Sequence, residues 1–186
     1  MDKISDKYFF SMLSRMKNIN RWGLMRNTND ENLSEHSLDT AVIAHILAII
    51  KNKKFNGNID QERVAVLAIF HDATEVITGD LPTPVKYYND RIRKAYAEIE
   101  ENAQKKLLSM LPDYLQDEYK DILCPNEKEA ELWKEVKAAD KLSALIKCIQ
   151  EKNMGNNSIK NMNMPEVDYF IKNFLPAYSL TLDEQQ

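Results

Sequence analysis

Apolar residues recur along the chain at three- and four-residue spacings rather than in alternation, the period of amphipathic helices and not of strands. Tyr8, Phe9, Met12, Leu13 and Met16 follow it and predict a first helix from about Lys7 to Asn18, before irregular Asn-rich sequence. Leu38, Ala41, Val42, Ala44, Ile46, Leu47, Ile49 and Ile50 predict a second, largely buried helix, with Ser34 as N-cap and an end near Lys51. The loop from Asn52 to Asn58 closes it. Asp60 caps the next helix, and its Val64 to Phe70 segment is apolar nearly all round, as expected of a central helix.

Gly79-Asp80-Leu81-Pro82-Thr83-Pro84 cannot continue a helix and reads as an ordered loop. A long charged helix from about Val85 to Met110 follows, then a short one after Pro112. Asn126-Glu127-Lys128-Glu129 is a capping-box-like start to a helix ending near Asn153. Gly155-Asn156-Asn157 reads as a loop. A final helix around Pro165 to Phe174 leads to a tail whose Leu175, Tyr178, Leu180 and Leu182 are expected to pack on the body or on a second subunit.

Composition narrows the class. With 186 residues, 44% of them hydrophobic, the chain can bury a core without disulfide staples. Four glycines and six prolines are too few for the turns of a sandwich or barrel. The expectation is an all-α, compact helical bundle forming a single domain over residues 1–186. A net charge of −4 disfavours a grip on polymeric nucleic acid but leaves room for a small phosphorylated ligand. Cys124 and Cys148 make no Cys-x-x-Cys pair and read as reduced thiols of a cytoplasmic protein. Met1 to Lys7 has no signal-peptide core, and the apolar runs look too short and interrupted to cross a bilayer, so neither export nor a membrane partner is expected.

Three histidines are present, so each is weighed singly. His71-Asp72 ends an apolar helical run, where burying an imidazole beside a carboxylate is costly unless something satisfies both; a shared divalent metal does so. Asp140 falls in line with Trp133, Val136 and Ala144, a carboxylate on an apolar helical stripe that calls for either a metal or a neighbouring cation. His36 begins its helix after Ser34-Glu35, facing a cleft between helices. His45 lies nine residues on, half a turn round the wheel, and reads as a hydrogen-bonded core histidine. Two imidazoles and two carboxylates make a mixed donor set suited to an octahedral ion such as manganese, cobalt, nickel or magnesium.

In order and spacing, His36, His71-Asp72 and Asp140 match the H…HD…D signature of the HD-domain phosphohydrolases. Ile19-Asn20-Arg21-Trp22, Ser34-Glu35-His36-Ser37, His71-Asp72-Ala73-Thr74-Glu75 and Gly79 to Tyr87 together resemble the bacterial HD-domain 5′-deoxynucleotidases. The likeness covers nearly the whole chain, including Asp168-Tyr169-Phe170 and Leu180 to Glu184, and is thin from Pro112 to Asn126 and around Gly155. It implies a homodimer that removes the 5′-phosphate of deoxyribonucleoside monophosphates with one divalent metal ion per subunit, cobalt, manganese or similar, and that rejects ribonucleotides.

The resemblance also implies roles. His36, His71, Asp72 and Asp140 are metal ligands, and Asp72 also borders the substrate. Glu75, one turn beyond His71, stands where a general base or water-orienting group belongs. Arg21 orients the phosphate, and Trp22 is the candidate for sensing the missing 2′-hydroxyl by steric exclusion. Asp80, on the proline-fixed platform with Leu81, Pro82 and Thr83, binds the nucleotide or donates a proton to the leaving 5′-oxygen. Water activated at the metal then attacks phosphorus in line. Triphosphate or guanosine tetraphosphate hydrolysis is the main competitor; it calls for more basic residues at the cleft, and Lys86 alone adjoins the loop motifs. A non-catalytic nucleotide module would lack a ligand or Glu75, and a helical partner-binding protein would hold no metal.

Overall fold

The computed structural model describes residues 8–156. Eight α-helices carry them: α1 (Phe9–Leu13), α2 (Leu33–Lys54), α3 (Gln61–Phe70), α4 (Glu75–Thr78), α5 (Thr83–Lys86), α6 (Asp90–Ser109), α7 (Asp113–Leu123) and α8 (Ala130–Asn153). Among the described residues the only β feature is an isolated antiparallel bridge between Asn20 and Asn32. The all-α expectation holds. The helix expected at Pro165 to Phe174 and the tail beyond it lie outside the described residues.

Local chemistry moves several boundaries. The first predicted helix tightens after Leu13 into a 3₁₀ segment, Ser14–Asn18, where the Ser14 hydroxyl donates to the Ser11 carbonyl at 2.8 Å. Asn32, not Ser34, caps α2: its side chain accepts from the Ser34 and Glu35 amides while Glu35 accepts from the Asn32 amide, a complete capping box. The same helix runs to Lys54, past the expected end, and Asn52 then clasps Ile59 through both its amide atoms. Asp60 caps α3 as expected.

The stretch expected as loop then long helix is divided differently. Pro82 and Pro84 start a single turn, α5, and the chain breaks at Tyr87–Tyr88 before Asn89 caps α6 by accepting from Ile92 N. Asn126 caps the short 3₁₀ turn that leads into α8.

Helix α2 packs on α3 and α8, and α3 on α8, with α6 and α7 paired beside them. Alanines at 41, 44, 48, 68 and 139 are buried at these helix contacts and let backbones approach closely. That close packing leaves Leu38, Val42 and Ile46 exposed on the far side of α2, so the helix is half buried rather than largely buried. At 22 residues α2 is also long and apolar enough to cross a membrane by length and composition, contrary to the reading of its sequence. Its buried face against α3 and α8 gives it instead the place of a core helix.

Two apolar clusters result. One gathers Phe9, Met16, Leu33, Ala73, Val76 and Leu107; the other gathers Ala41, Leu47, Val64, Leu67, Ala68 and Val136. His36 falls between Leu33 and Ala41 in sequence, and His71-Asp72 between Ala68 and Ala73. The polar site is the seam between the clusters.

Candidate metal centre and phosphate site

Helix α2 supplies His36 from its first turn, the turn that ends α3 supplies His71 and Asp72, and α8 supplies Asp140. One ligand atom from each of His36, His71 and Asp72 lies within 4.8 Å of the others. Asp72 Oδ2 is 3.0 Å from His71 Nε2 and 3.7 Å from His36 Nε2. Asp140 borders this trio, with Oδ1 3.0 Å from His36 Nε2 and 4.0 Å from His71 Nε2. All four sequence-predicted ligands are therefore brought together.

Both imidazoles are oriented through their other nitrogen. His71 Nδ1 donates to the Ala68 carbonyl at 2.7 Å, and His36 Nδ1 meets the Ser143 hydroxyl at 3.3 Å. Both Nε2 atoms thus face the carboxylates. His71 Nε2 is buried and has no aligned hydrogen-bond partner among the described residues; its approach to Asp72 is close but poorly directed. A buried, unpaired nitrogen between two carboxylates is satisfied by a cation, so the donor set fits a divalent metal. Neither cysteine belongs to it, which suits a mixed nitrogen and oxygen coordination.

Charge is strongly coupled in this seam. Burial would lower the His71 pKa, but Asp72, Asp140 and the Ala68 carbonyl raise it to about 9. Asp72 is opposed by burial too, yet His71 and Arg21 hold its carboxyl well below the usual range. Burial works against Asp140 as well, and His36 and His71 keep it depressed.

Arg21 reaches the site from the irregular segment before α2, and Trp22 beside it donates its indole N–H to Glu31 Oε2 at 2.8 Å. Arg21 Nη1 lies 3.3 Å from Asp72 Oδ2, which puts a guanidinium beside the carboxylate of the His–Asp cluster. Glu75 is buried at the start of α4, one carboxylate oxygen without a hydrogen-bond partner among the described residues. Burial, then the charges of Asp72 and Asp80, push its pKa up to about 9. A group expected to act as a base is thus neutral at pH 7 until positive charge arrives beside it.

Gly79 makes the turn into the Asp80–Pro84 loop with φ +74°, a conformation that favours glycine. Asp80, Leu81 and Pro82 follow half-buried, and Thr83 is exposed. The Asp80 carboxyl is raised, by burial first and by Asp72, against the opposing pull of Arg21. His45 is half-buried, lies outside the cluster, and accepts or donates no hydrogen bond with a described residue; it is not the hydrogen-bonded core histidine expected. Its ring sits on the partly exposed side of α2.

The model of the YfbR-like 5′-deoxynucleotidase family matches residues 8–178. The chain belongs to this family. It is 51% identical over 188 residues to a 5′-deoxynucleotidase of Photorhabdus laumondii, with 95% of each chain covered. It is 47% identical over 192 residues to one of Vibrio vulnificus, covering 97% of this chain and 99% of that one. Among solved structures it resembles an HD-domain phosphohydrolase of Listeria innocua at TM-score 0.72 and 26% identity, over 90% of this chain and 86% of the other. The cyanophage S-2L HD phosphohydrolase, bound to dA and one catalytic Zn²⁺, shares the fold at TM-score 0.52 and 21% identity, over 74% of this chain and 69% of that one.

Three polar neighbours of the site escape sequence reasoning, the first being buried Thr40, one turn after His36, whose hydroxyl lies 3.4 Å from His36 Nε2. Ser143 is three residues after Asp140, on the same face of α8, and that spacing was a usable signal. Glu31, which accepts from both Arg21 and Trp22, sits in irregular sequence with no periodicity to single it out.

Proposed function

We propose that the protein hydrolyses 2′-deoxyribonucleoside 5′-monophosphates to deoxynucleoside and phosphate, using one divalent cation held by His36, His71, Asp72 and Asp140. The observation that carries this reading is the convergence of two Nε2 atoms, the Asp72 carboxylate and the Arg21 guanidinium on one seam. The family relatives named as 5′-deoxynucleotidases supply the substrate class. The cyanophage neighbour, with dA and zinc in its site, supports a deoxyadenosine moiety beside a metal on this fold.

When bound, the cation supplies Lewis-acid charge to the phosphate and acidifies water. Arg21 orients the phosphate and offsets its charge. Glu75 takes a proton from the attacking water, which forms the new P–O bond in line as the bond to the 5′-oxygen breaks. Asp80, on its proline-stiffened loop with Leu81, Pro82 and Thr83, contacts the nucleotide or returns a proton to the departing 5′-oxygen. Trp22 walls off the ribose 2′-hydroxyl. Polyphosphate substrates are disfavoured, because Lys86 is already committed, 2.8 Å from Glu100 and over the Tyr96 ring.

The reading extends to a cytoplasmic, single-domain homodimer. Free thiols at Cys124 and Cys148 suit a reducing compartment, and the apolar stripe of Leu38, Val42 and Ile46 suits a partner surface. Phosphate release from dAMP and AMP, after chelation and after return of manganese or cobalt, tests the activity, with Asp72→Ala as control. Release from dAMP alone, dependent on metal and abolished in the variant, is expected; release without metal refutes the reading.

A further inference from the structure

Glu31, just before the cap of α2, makes three hydrogen bonds to Arg21 and Trp22. Its backbone carbonyl accepts from the Arg21 amide at 2.9 Å, closing the small bridge next to Asn20 and Asn32. Its Oε2 accepts from Trp22 Nε1 at 2.8 Å and from Arg21 Nε at 3.2 Å. The side chain is nearly buried, so these bonds are shielded from water. Arg21 uses its Nε edge on Glu31 and has Nη1 beside Asp72, so one guanidinium spans from the carboxylate of the loop to that of the metal cluster.

Trp22 is also strained. Its φ is +61°, in the left-handed region that a bulky aromatic residue rarely adopts, and its carbonyl accepts from Met25 N to close the turn. Such a conformation persists only where its surroundings over-determine it, and it concentrates where a side chain must be aimed. Glu31 is the polar group in contact with that indole.

We propose that Glu31 is a positioning residue that locks Arg21 and Trp22 into one rigid unit, and that discrimination against ribonucleotides depends on this lock. The proposal rests on the roles assigned above to Arg21, on the phosphate, and Trp22, beside the sugar. Excluding a single hydroxyl needs a wall that does not yield, and an indole free to swing by an ångström accommodates it. Because both anchors share one carboxylate oxygen, the spacing between the phosphate fork and the sugar wall is fixed by Glu31 rather than by either residue alone.

The test compares kcat/KM for dAMP and AMP in the metal-loaded wild type, Glu31→Gln, Glu31→Ala, Trp22→Phe and the Glu31→Ala/Trp22→Phe double variant. Glu31→Ala is expected to lower the dAMP-to-AMP preference about tenfold and to raise KM for dAMP. Trp22→Phe keeps an aromatic ring but loses the N–H, and is expected to lower the preference by a similar factor. The double variant should lose little more than Glu31→Ala, which already removes the indole's bond together with that of Arg21. Glu31→Gln keeps an acceptor for the indole and should retain most of the preference. If Glu31→Ala does not fold, Glu31→Leu takes its place, filling the volume without accepting a hydrogen bond: preference lost there and kept in Glu31→Gln supports the lock, and preference kept in both overturns it. A discriminating wild type whose Trp22→Phe or Glu31→Ala form keeps full preference, or a double variant in which the two losses multiply, overturns the role of Glu31 alone. A wild type that hydrolyses dAMP and AMP equally overturns the reading of Trp22, and the lock with it.

Discussion

The 2.7 Å hydrogen bond from His71 Nδ1 to the Ala68 carbonyl settles which imidazole nitrogen faces the seam. Because the carbonyl only accepts, Nδ1 carries the proton and Nε2 is left toward Asp72 and Asp140. The turn that ends α3 therefore orients an imidazole as well as stopping a helix.

Metal uptake should be pH-dependent. His71 titrates at about 9, so a cation must displace its Nε2 proton at neutral pH. Apparent affinity for manganese is expected to rise up to about tenfold per pH unit from pH 6.5 and to level off above about pH 9. Competition with a chelator of known affinity at three pH values measures it. A flat profile contradicts the proton displacement.

Ser143 fixes the other imidazole. With Nε2 of His36 turned to the carboxylates, Nδ1 must donate to the Ser143 hydroxyl, 3.3 Å away. Ser143→Ala should weaken metal binding by about 10- to 100-fold while kcat at saturating metal stays near that of the wild type. Metal titration of kcat separates the two quantities.

Glu75 links the site to stability. Its folded pKa, raised to about 9 by burial and by Asp72 and Asp80, lies above the ordinary value of 4.5, so the folded state holds the proton more tightly. The stability this adds is fully present below about pH 4.5 and is lost as pH climbs to about 9. In metal-free protein, the Tm of the wild type relative to Glu75→Gln should therefore fall steadily across that window. His71 carries the same sign but is common to both proteins and cancels. In the loaded enzyme, Glu75→Gln is expected to lower kcat by about 10²- to 10⁴-fold. A Tm difference independent of pH contradicts the buried, protonated carboxyl.

The period of apolar residues located most helices, because burial of one face leaves its mark every three or four positions. Ends were less legible. Asn32 outcompeted Ser34 because it alone reaches Glu35 in a reciprocal box, a choice made by geometry rather than residue type. The exposure of Leu38, Val42 and Ile46 was hidden because alanines and leucines count alike in a pattern, whereas only the alanines let α2 meet α3 and α8 closely. Of the site, His36, His71, Asp72 and Asp140 were readable as polar residues on apolar faces. Glu31 was not, since its partners are set by a return of the chain that no local pattern encodes.

Lysine is not expected to replace Arg21. Its Nε edge engages Glu31 while Nη1 lies beside Asp72, and a single ammonium cannot span both. Arg21→Lys should lower kcat/KM for dAMP about 10²- to 10³-fold, close to the loss in Arg21→Ala. Steady-state kinetics on both variants provides the check; near-wild-type activity in the lysine variant means that charge alone suffices.

Glu151 holds the far end of the segment that carries Arg21 and Trp22. It is buried and accepts from the Thr28 and Asn29 amides, from Asn156 Nδ2 and from Lys147, whose Nζ also reaches the Asn29 carbonyl. Burial opposes its ionisation, yet these donors hold the carboxyl well below its ordinary range. A depressed folded pKa contributes stability that is present above about pH 4.5 and lost as pH falls toward the folded value. Glu151→Gln keeps the shape but drops the charge, and is expected to lower Tm by several degrees at pH 7 and by progressively less toward pH 3. Thr28 and Asn29 lie three and two residues before Glu31, so loosening them should also raise KM for dAMP while leaving metal binding unchanged. Thermal scans across pH, with KM and metal affinity measured on the same preparations, distinguish this from a general loss of folding, which would weaken metal binding as well.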